Sequence, residues 1–274
     1  MRWRRTAPPP RTPEPLGTLR RLVGDVDKQI DLQMPRIELA AALQRAMLPP
    51  QLPDVPGLRI AARYAPARDG LAVGGDWYDA FLMPDGSVAL AIGDVQGHGM
   101  DSIAFMGQVR TGLRAIATVT TDPGKILGSA NDLFISMACD LFATCCFLRM
   151  EVRTGELAGV RAGHPPVVWA TVGGRSGTAL DEGGLPLGIQ PHECYPVTRR
   201  RLTEPGAFVL LTDGVVEGPS FPVEEGLAQV ARLVTAHAGA DPDVLAAEVI
   251  KVADLTGHSD DAAVLAVRYD GTAG

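Results

Sequence analysis

The stretch from Val88 to Met100 limits what this chain can become more than any other. An apolar run, Val88 to Ile92, has the character of a buried strand and stops at Gly93-Asp94. Gly93, Gly97 and Gly99 bracket Asp94 and His98, and a helical pattern begins at Met100. A carboxylate at the end of a buried strand, in a loop whose glycines allow backbone angles that other residues avoid, is unfavourable unless something offsets it. A hard cation shared by several such acids is one way to do so.

The rest of the chain supplies three more acids in matching settings. The segments 72–83 and 87–94 flank the turn Pro84-Asp85-Gly86, which predicts a hairpin with Asp76 on one arm and Asp94 ending the other. Ala207 to Leu211 is an apolar strand that ends at Thr212-Asp213-Gly214, and His258-Ser259-Asp260-Asp261 precedes a last strand, 262–267. Singly, each acid has a plain explanation, because Asp-Gly is a common turn. Jointly they point elsewhere: clustered carboxylates repel and take up protons unless a cation lies among them. Oxygen ligands without Cys or His favour Mg²⁺ or Mn²⁺ over Zn²⁺. Two such ions roughly 3.5–4 Å apart would activate a bridging water for in-line attack on a phosphoryl group.

A net charge of -7 argues against a nucleic-acid partner. Cys139, Cys145, Cys146 and Cys194 have no C-x-x-C spacing, and the neighbours Cys145 and Cys146 read as buried thiols of a reducing, cytoplasmic protein. No apolar run approaches the ~20 residues of a membrane span, so no membrane association is expected. Arg2, Arg4 and Arg5 are followed by no apolar stretch of a secretory signal.

Residues 1–15 hold five prolines and four arginines and read as a disordered tail. Leu16, Leu19, Val23, Val26 and Ile30 follow a heptad spacing over about two heptads, which fits either a short coiled-coil seam or an amphipathic helix packed on its own domain. Pro35 breaks that helix, and a second runs from 36 to 48. Segments 16–48 are thus expected to be regulatory or linker helices before a domain over 49–270. Within it, strands are expected at 59–65, 142–152, 156–161 and 167–172 beside those above, with a loop over 173–184. Helices are expected at 100–119, from the Asp122-Pro123 cap to about 139, at 224–238, and from Asp241-Pro242 to 255. Strands grouped between helix pairs predict an α+β fold, a four-layer αββα sandwich of mostly antiparallel sheets, without regular βαβ winding. The P-loop and H-E-x-x-H motifs are absent.

The chain resembles bacterial metal-dependent Ser/Thr protein phosphatases of the PPM (protein phosphatase 2C-like) superfamily, in the SpoIIE/RsbU branch. The resemblance rests on Ala42-Leu43-Gln44-Arg45-Ala46-Met47-Leu48-Pro49, Gly74-Gly75-Asp76-Trp77-Tyr78-Asp79, Gly93 to Gly99, Ala162-Gly163-His164-Pro165-Pro166, Leu185-Pro186-Leu187-Gly188-Ile189, Thr212 to Glu217 and Asp260-Asp261-Ala262-Ala263, in family order from about 40 to 268. It implies an αββα sandwich with a dinuclear Mn²⁺ or Mg²⁺ site. Asp94 would bridge both ions and act in catalysis, Asp76 and the Val95 carbonyl would serve one ion, and Asp213 and Asp260 the other, with Asp261 able to exchange roles with Asp260. Asp79 would orient a ligand or its water. The implied substrate is a phosphoserine or phosphothreonine on an anti-anti-sigma (STAS) protein, and the heptad helix suits pairing with a second copy or a separate sensor. The alternative is a catalytically weak PPM-fold protein that binds a signalling partner.

Three departures stand out. The eukaryotic branch has a general-acid histidine two residues after the bridging acid, where this chain has Gln96; His98 is the remaining candidate proton donor, against the reading of a loop histidine bonded to backbone. Ala263 replaces the threonine of the branch's Asp-Asp-x-Thr motif, which removes a hydroxyl near the ligands. Many members of the branch carry a sensor domain upstream, where this sequence is expected to offer only the short helix and the tail. His164 reads as a turn-stabilising residue in preference to a catalyst.

Overall fold

A computed structural model describes residues 38–67, 74–257 and 260–271. The heptad segment 16–30 and the tail 1–15 lie outside the described residues. Residues Ala40–Gly274 form one compact unit.

The chain begins in that unit with the helical residues 38–47 (α1). It continues β1 (Leu58–Ala65), β2 (Trp77–Leu82), β3 (Val88–Val95), α2 (Met100–Ala117), α3 (Pro123–Ser136), β4 (Ala143–Glu151), β5 (Glu156–Ala162), β6 (Val168–Thr171), β7 (Ser176–Thr178), β8 (Thr198–Arg201), β9 (Gly206–Leu211), α4 (Asp213–Val216), α5 (Val223–Ala236), α6 (Pro242–Ile250), α7 (Ala253–Thr256) and β10 (Ala262–Tyr269). Two antiparallel five-stranded sheets result: a first in the order β1-β10-β9-β6-β7 and a second in the order β2-β3-β4-β5-β8. The expected αββα sandwich is what forms.

Alternation along the strands builds the layers. In β3, Val88, Leu90 and Ile92 face Leu210, Leu265 and Val267 of the first sheet, filling the space between the sheets. The other face of the first sheet, with Val209, Leu211 and Val264, packs on Val230 and Val234 of α5 and Leu245 and Val249 of α6. Helices α2 and α3 cover the second sheet, meeting edge-on at Phe105 and Phe134, whose ring centroids are 5.5 Å apart. The Asp122 carboxylate accepts from the Lys125 amide as the cap of α3, and Asp241 does the same for α6 through the Asp243 amide. Cys145 and Cys146 are buried and unbridged.

Three short elements depart from expectation. The loop expected over 173–184 contains β7, paired with β6. Strand β8, Thr-Arg-Arg-Arg, pairs with β5 at a sheet edge, where exposed arginines replace the alternation expected of a half-buried strand. The helix expected to run to 255 stops at Ile250 and resumes as α7.

Candidate metal centre

The hairpin β2–β3 and the pair β9–β10 each carry two acids to the same end of the sandwich. Register places Trp77 opposite Gly93, so Asp76 and Asp94 flank adjacent strand ends. Asp94 continues the parity of Leu90 and Ile92 and so belongs to the inter-sheet face. In the first sheet, Leu211 pairs with Val264, which brings Asp213, opening α4, beside the residues leading into β10. One carboxylate oxygen each from Asp76, Asp94 and Asp213 lie within 4.8 Å of one another.

Glycine makes this approach possible. A Cβ on Gly75 would sit 2.3 Å from the Val95 carbonyl oxygen, and one on Gly214 would sit 2.0 Å from the Asp261 carbonyl oxygen. Either contact would force the acid-bearing loops apart. The Val95 carbonyl thus packs against Gly75, immediately beside Asp76.

Electrostatics mark the cluster as one that calls for a cation. Burial, then Asp213 and Asp260, push the Asp94 carboxyl up to about 8. Burial and then Asp94 raise Asp76. Burial raises Asp213 and Asp260, with Asp213 adding to the effect on the exposed Asp260. Among the described residues no lysine or arginine pairs with any of the four. Carboxylates gathered without a cationic side chain, all oxygen donors, fit Mg²⁺ or Mn²⁺.

The two adjacent acids Asp260 and Asp261 have different surroundings. Asp261 is buried, and its carboxylate accepts from Gln44 Nε2 (2.7 Å), the Ala67 amide (2.8 Å), the Gly74 amide (2.8 Å) and the Tyr64 hydroxyl. Gln44 also donates to the Gly74 carbonyl at 2.9 Å, so α1 is tied to the loop that carries Asp76. Asp261 is therefore committed to holding loops together, and the exchange of roles with Asp260 left open by sequence is disfavoured by its full set of donors.

Asp79 is placed differently from expectation. Its parity is opposite to that of Asp76, so it faces α2, not the acids. Arg114 donates to both of its oxygens, at 2.6 Å each, and Arg110 lies 3.7 Å away. Arg114 also stacks 4.5 Å over the Phe81 ring. Asp79 anchors α2, the helix that leaves the Asp94 loop, through Arg114 and Arg110.

Thr212 was missed in the sequence. Its hydroxyl donates to Asp76 Oδ2 at 2.7 Å and accepts from the Ala263 amide at 2.8 Å. Thr212 thus links Asp76 to the backbone at the start of β10. His98 is exposed in the loop between β3 and α2, bridged to Gly74, and its imidazole favours the charged form of Asp260. Gln96, its amide bonded to the Phe142 carbonyl, is exposed beside it.

A family model described as Stage II sporulation protein E (SpoIIE) matches residues 84–270. Protein IcfG of Synechocystis sp. is 30% identical over 256 residues, 82% of this chain and 39% of its own length. Phosphoserine phosphatase RsbU of Bacillus subtilis is 26% identical over 182 residues, 66% of this chain and 53% of its own. The chain thus spans about half or less of the length of these curated relatives. A crystal structure of the RsbU and RsbW domains of a Mycobacterium tuberculosis protein superposes with a TM-score of 0.71 at 30% identity, covering 81% of this chain and 64% of that one. An ordered set of acid-bearing strand ends, a two-sheet sandwich with paired helices on each side, and a match over most of the domain lead to one family: this chain belongs to the SpoIIE family, in the SpoIIE/RsbU branch of the PPM superfamily.

Proposed function

We propose that this chain is a metal-dependent serine/threonine protein phosphatase, cleaving phosphoserine or phosphothreonine on a STAS-domain protein of a partner-switching pathway in the cytoplasm. The observation that carries the reading is the approach of Asp76, Asp94 and Asp213 within 4.8 Å, with no lysine or arginine among the described residues paired to them. The names of its relatives support the reaction class, RsbU being a phosphoserine phosphatase. Among the described residues no helix is long and apolar enough to cross a membrane.

Asp94, Asp76 and the Val95 carbonyl, with Asp213 and Asp260, would hold two Mn²⁺ or Mg²⁺ ions. Bound there, the ions supply Lewis-acid activation of water for in-line attack at phosphorus. The chain's own part is to keep these oxygens converged. Thr212 fixes the rotamer of Asp76, and Asp261 fastens the loops on either side. His98, exposed at the rim, is the candidate for protonating the departing serine oxygen. The heptad helix over 16–30 is read as the seam for a second copy or a sensor, and 49–270 as the catalytic domain.

The test is turnover of a generic aryl phosphate with and without Mn²⁺, then of a panel of phosphorylated STAS proteins. Metal-dependent turnover of both is expected, and full activity after chelator treatment would falsify the mechanism. The same assays on a variant with Leu19, Val23 and Val26 changed to lysine, together with mass in solution, check the seam: wild-type values for both would exclude it.

A further inference from the structure

The segment Ala162-Gly163-His164-Pro165-Pro166 lies at the end of β5, outside the acid cluster, yet its histidine is 3% exposed. Gly163, at φ +62°, turns the chain there, and Arg161 holds the His164 carbonyl at 2.7 Å, which sets the ring into the protein. Its Nδ1 lies 2.9 Å from the Thr144 hydroxyl oxygen. Thr144 is the β4 residue directly opposite Asp94, and the Asp94 amide donates to that same oxygen at 3.1 Å. The other ring nitrogen, Nε2, is buried without a partner in full hydrogen-bond geometry. The Leu211 carbonyl is the acceptor that favours a proton on the ring. Leu211 ends β9 in the other sheet, two residues before Asp213.

Burial pushes the imidazole down to about 3, so the ring is neutral at working pH, with one N–H and one lone pair. A proton on Nε2, towards Leu211, leaves the Nδ1 lone pair for the Thr144 hydroxyl proton; this tautomer is assigned from the network. Thr144 then has its lone pairs free for the Asp94 N–H. A single donor direction runs from the Asp94 amide through Thr144 and His164 towards Leu211, and aligned chains of this kind reinforce themselves in a dry interior. The ring sits between β4, the neighbour of the strand that presents Asp94, and β9, which leads to Asp213.

We propose that His164 is a positioning residue that, through Thr144, fixes the backbone at Asp94 relative to the strand of Asp213, so that the two carboxylates can share a cation. This rests on the metal-dependent reading above, and it goes beyond it in giving the Gly-His-Pro-Pro segment a defined part. A neutral, buried imidazole cannot serve as the general acid, so any effect of its removal acts through geometry.

The experiment compares wild type with His164→Ala, His164→Asn, His164→Gln, Thr144→Val and the Thr144→Val/His164→Ala pair. Three quantities are read: Mn²⁺ affinity by paramagnetic resonance of the free ion, hydrogen exchange of the Asp94 amide in metal-free protein, and kcat and KM for an aryl phosphate. His164→Ala is expected to weaken Mn²⁺ binding by about 10–100-fold, the range typical of residues behind metal ligands. Exchange at Asp94 is expected to accelerate while that at Leu90 is unchanged, and kcat to fall with KM little altered. His164→Asn, whose amide reaches the Nδ1 position, is expected to recover most of the loss, and His164→Gln to recover little. Thr144→Val is expected to match His164→Ala, and the pair to be no worse than either, since both break one chain. Mn²⁺ affinity and Asp94 exchange at wild-type values in folded His164→Ala would overturn the proposal, as would multiplying losses in the pair. If His164→Ala does not fold, the near-isosteric Thr144→Val carries the same decision. If wild type neither binds Mn²⁺ nor turns over, the phosphatase reading fails, while Asp94 exchange still decides whether His164 holds that backbone.

Discussion

Two groups of acids lie at β2, β3, the start of α4 and the approach to β10, and their surroundings are opposite. Asp79 and Asp261 are buried among donors: one faces Arg114 and Arg110, the other the Gln44 amide, the Tyr64 hydroxyl and two backbone amides. Asp76, Asp94 and Asp213 are gathered so that each faces the others. The first group is satisfied by the protein's own donors; the second repels, and a bound cation or a proton relieves that repulsion. A sequence motif such as Gly-Gly-Asp-Trp-Tyr-Asp contains one acid of each kind. Within that motif strand parity separates them: Asp76 keeps the parity of Tyr78 and Ala80, which face the other sheet, and Asp79 has the opposite parity and faces α2.

The sharpest way to break this contrast is Asp94→Asn. Loss of several kcal/mol of transition-state stabilisation corresponds to a fall of about 10³-fold or more in Mn²⁺-dependent turnover. The metal-free protein is expected to keep or raise its melting temperature, because one repelling charge has gone. Turnover near wild type would show that Asp94 does not hold the metal.

Arg114→Ala probes the other group and should give the reverse pattern. It leaves Asp79 with the Ala80 amide, at 2.9 Å, and Arg110, at 3.7 Å. Stripping a partner from a buried carboxylate costs up to 3–5 kcal/mol; with the Arg114 side chain 41% exposed, about 1–3 kcal/mol is expected. Chemical denaturation should show this while Mn²⁺ affinity is nearly unchanged. A large loss of affinity with normal stability would mean that Asp79 belongs to the metal site after all.

His98→Ala should have the smallest effect. The side chain is exposed, and a water ordered in the site can protonate the leaving oxygen, so kcat is expected to fall by less than about tenfold. A fall in the ~10²–10⁴ range of general acid catalysis, with metal binding intact, would identify His98 as the proton donor.

Much of this was legible from sequence because it depends on local signals. Apolar strands ending in Asp-Gly, the Pro84-Asp85-Gly86 turn and the Asp-Pro helix caps all lie in consecutive residues, and they foretold the hairpin and the paired helices and marked Asp76, Asp94 and Asp213, which the fold brings together. What could not be read depends on register between distant strands. Thr212 reaches both Asp76 and the Ala263 amide only because β9 pairs with β10 so that Thr212 and Ala263 meet. The role of Asp79 was hidden for a related reason, although Arg110 and Arg114, four apart on a predicted helix, were a usable hint of a basic face turned to the sheet. Strand β8 escaped because an edge strand of arginines lacks the alternation that marks a buried face. Asp260 and Asp261 were indistinguishable until the donors around Asp261 came from Gln44, 217 residues away in the chain.

The topology of the two sheets also sets the order in which the site can come into being. The core of the second sheet is a run of strands in which β2 pairs with β3, β3 with β4 and β4 with β5. Only β4 is separated from its predecessor by more than a turn, through α2 and α3. The first sheet closes only when β10 inserts between β1 and β9, with Leu58 against Tyr269 and Leu211 against Val264. Contacts that join such distant segments pay a larger loop-closure entropy and form late. Asp76 and Asp94 are therefore aligned by early, local pairing, whereas Asp213 and Asp260 arrive with the final strand. On the proposed ligand set, a partly folded chain would hold half of the oxygens, too few to retain a hard cation, and capture of the ion would coincide with completion of the domain.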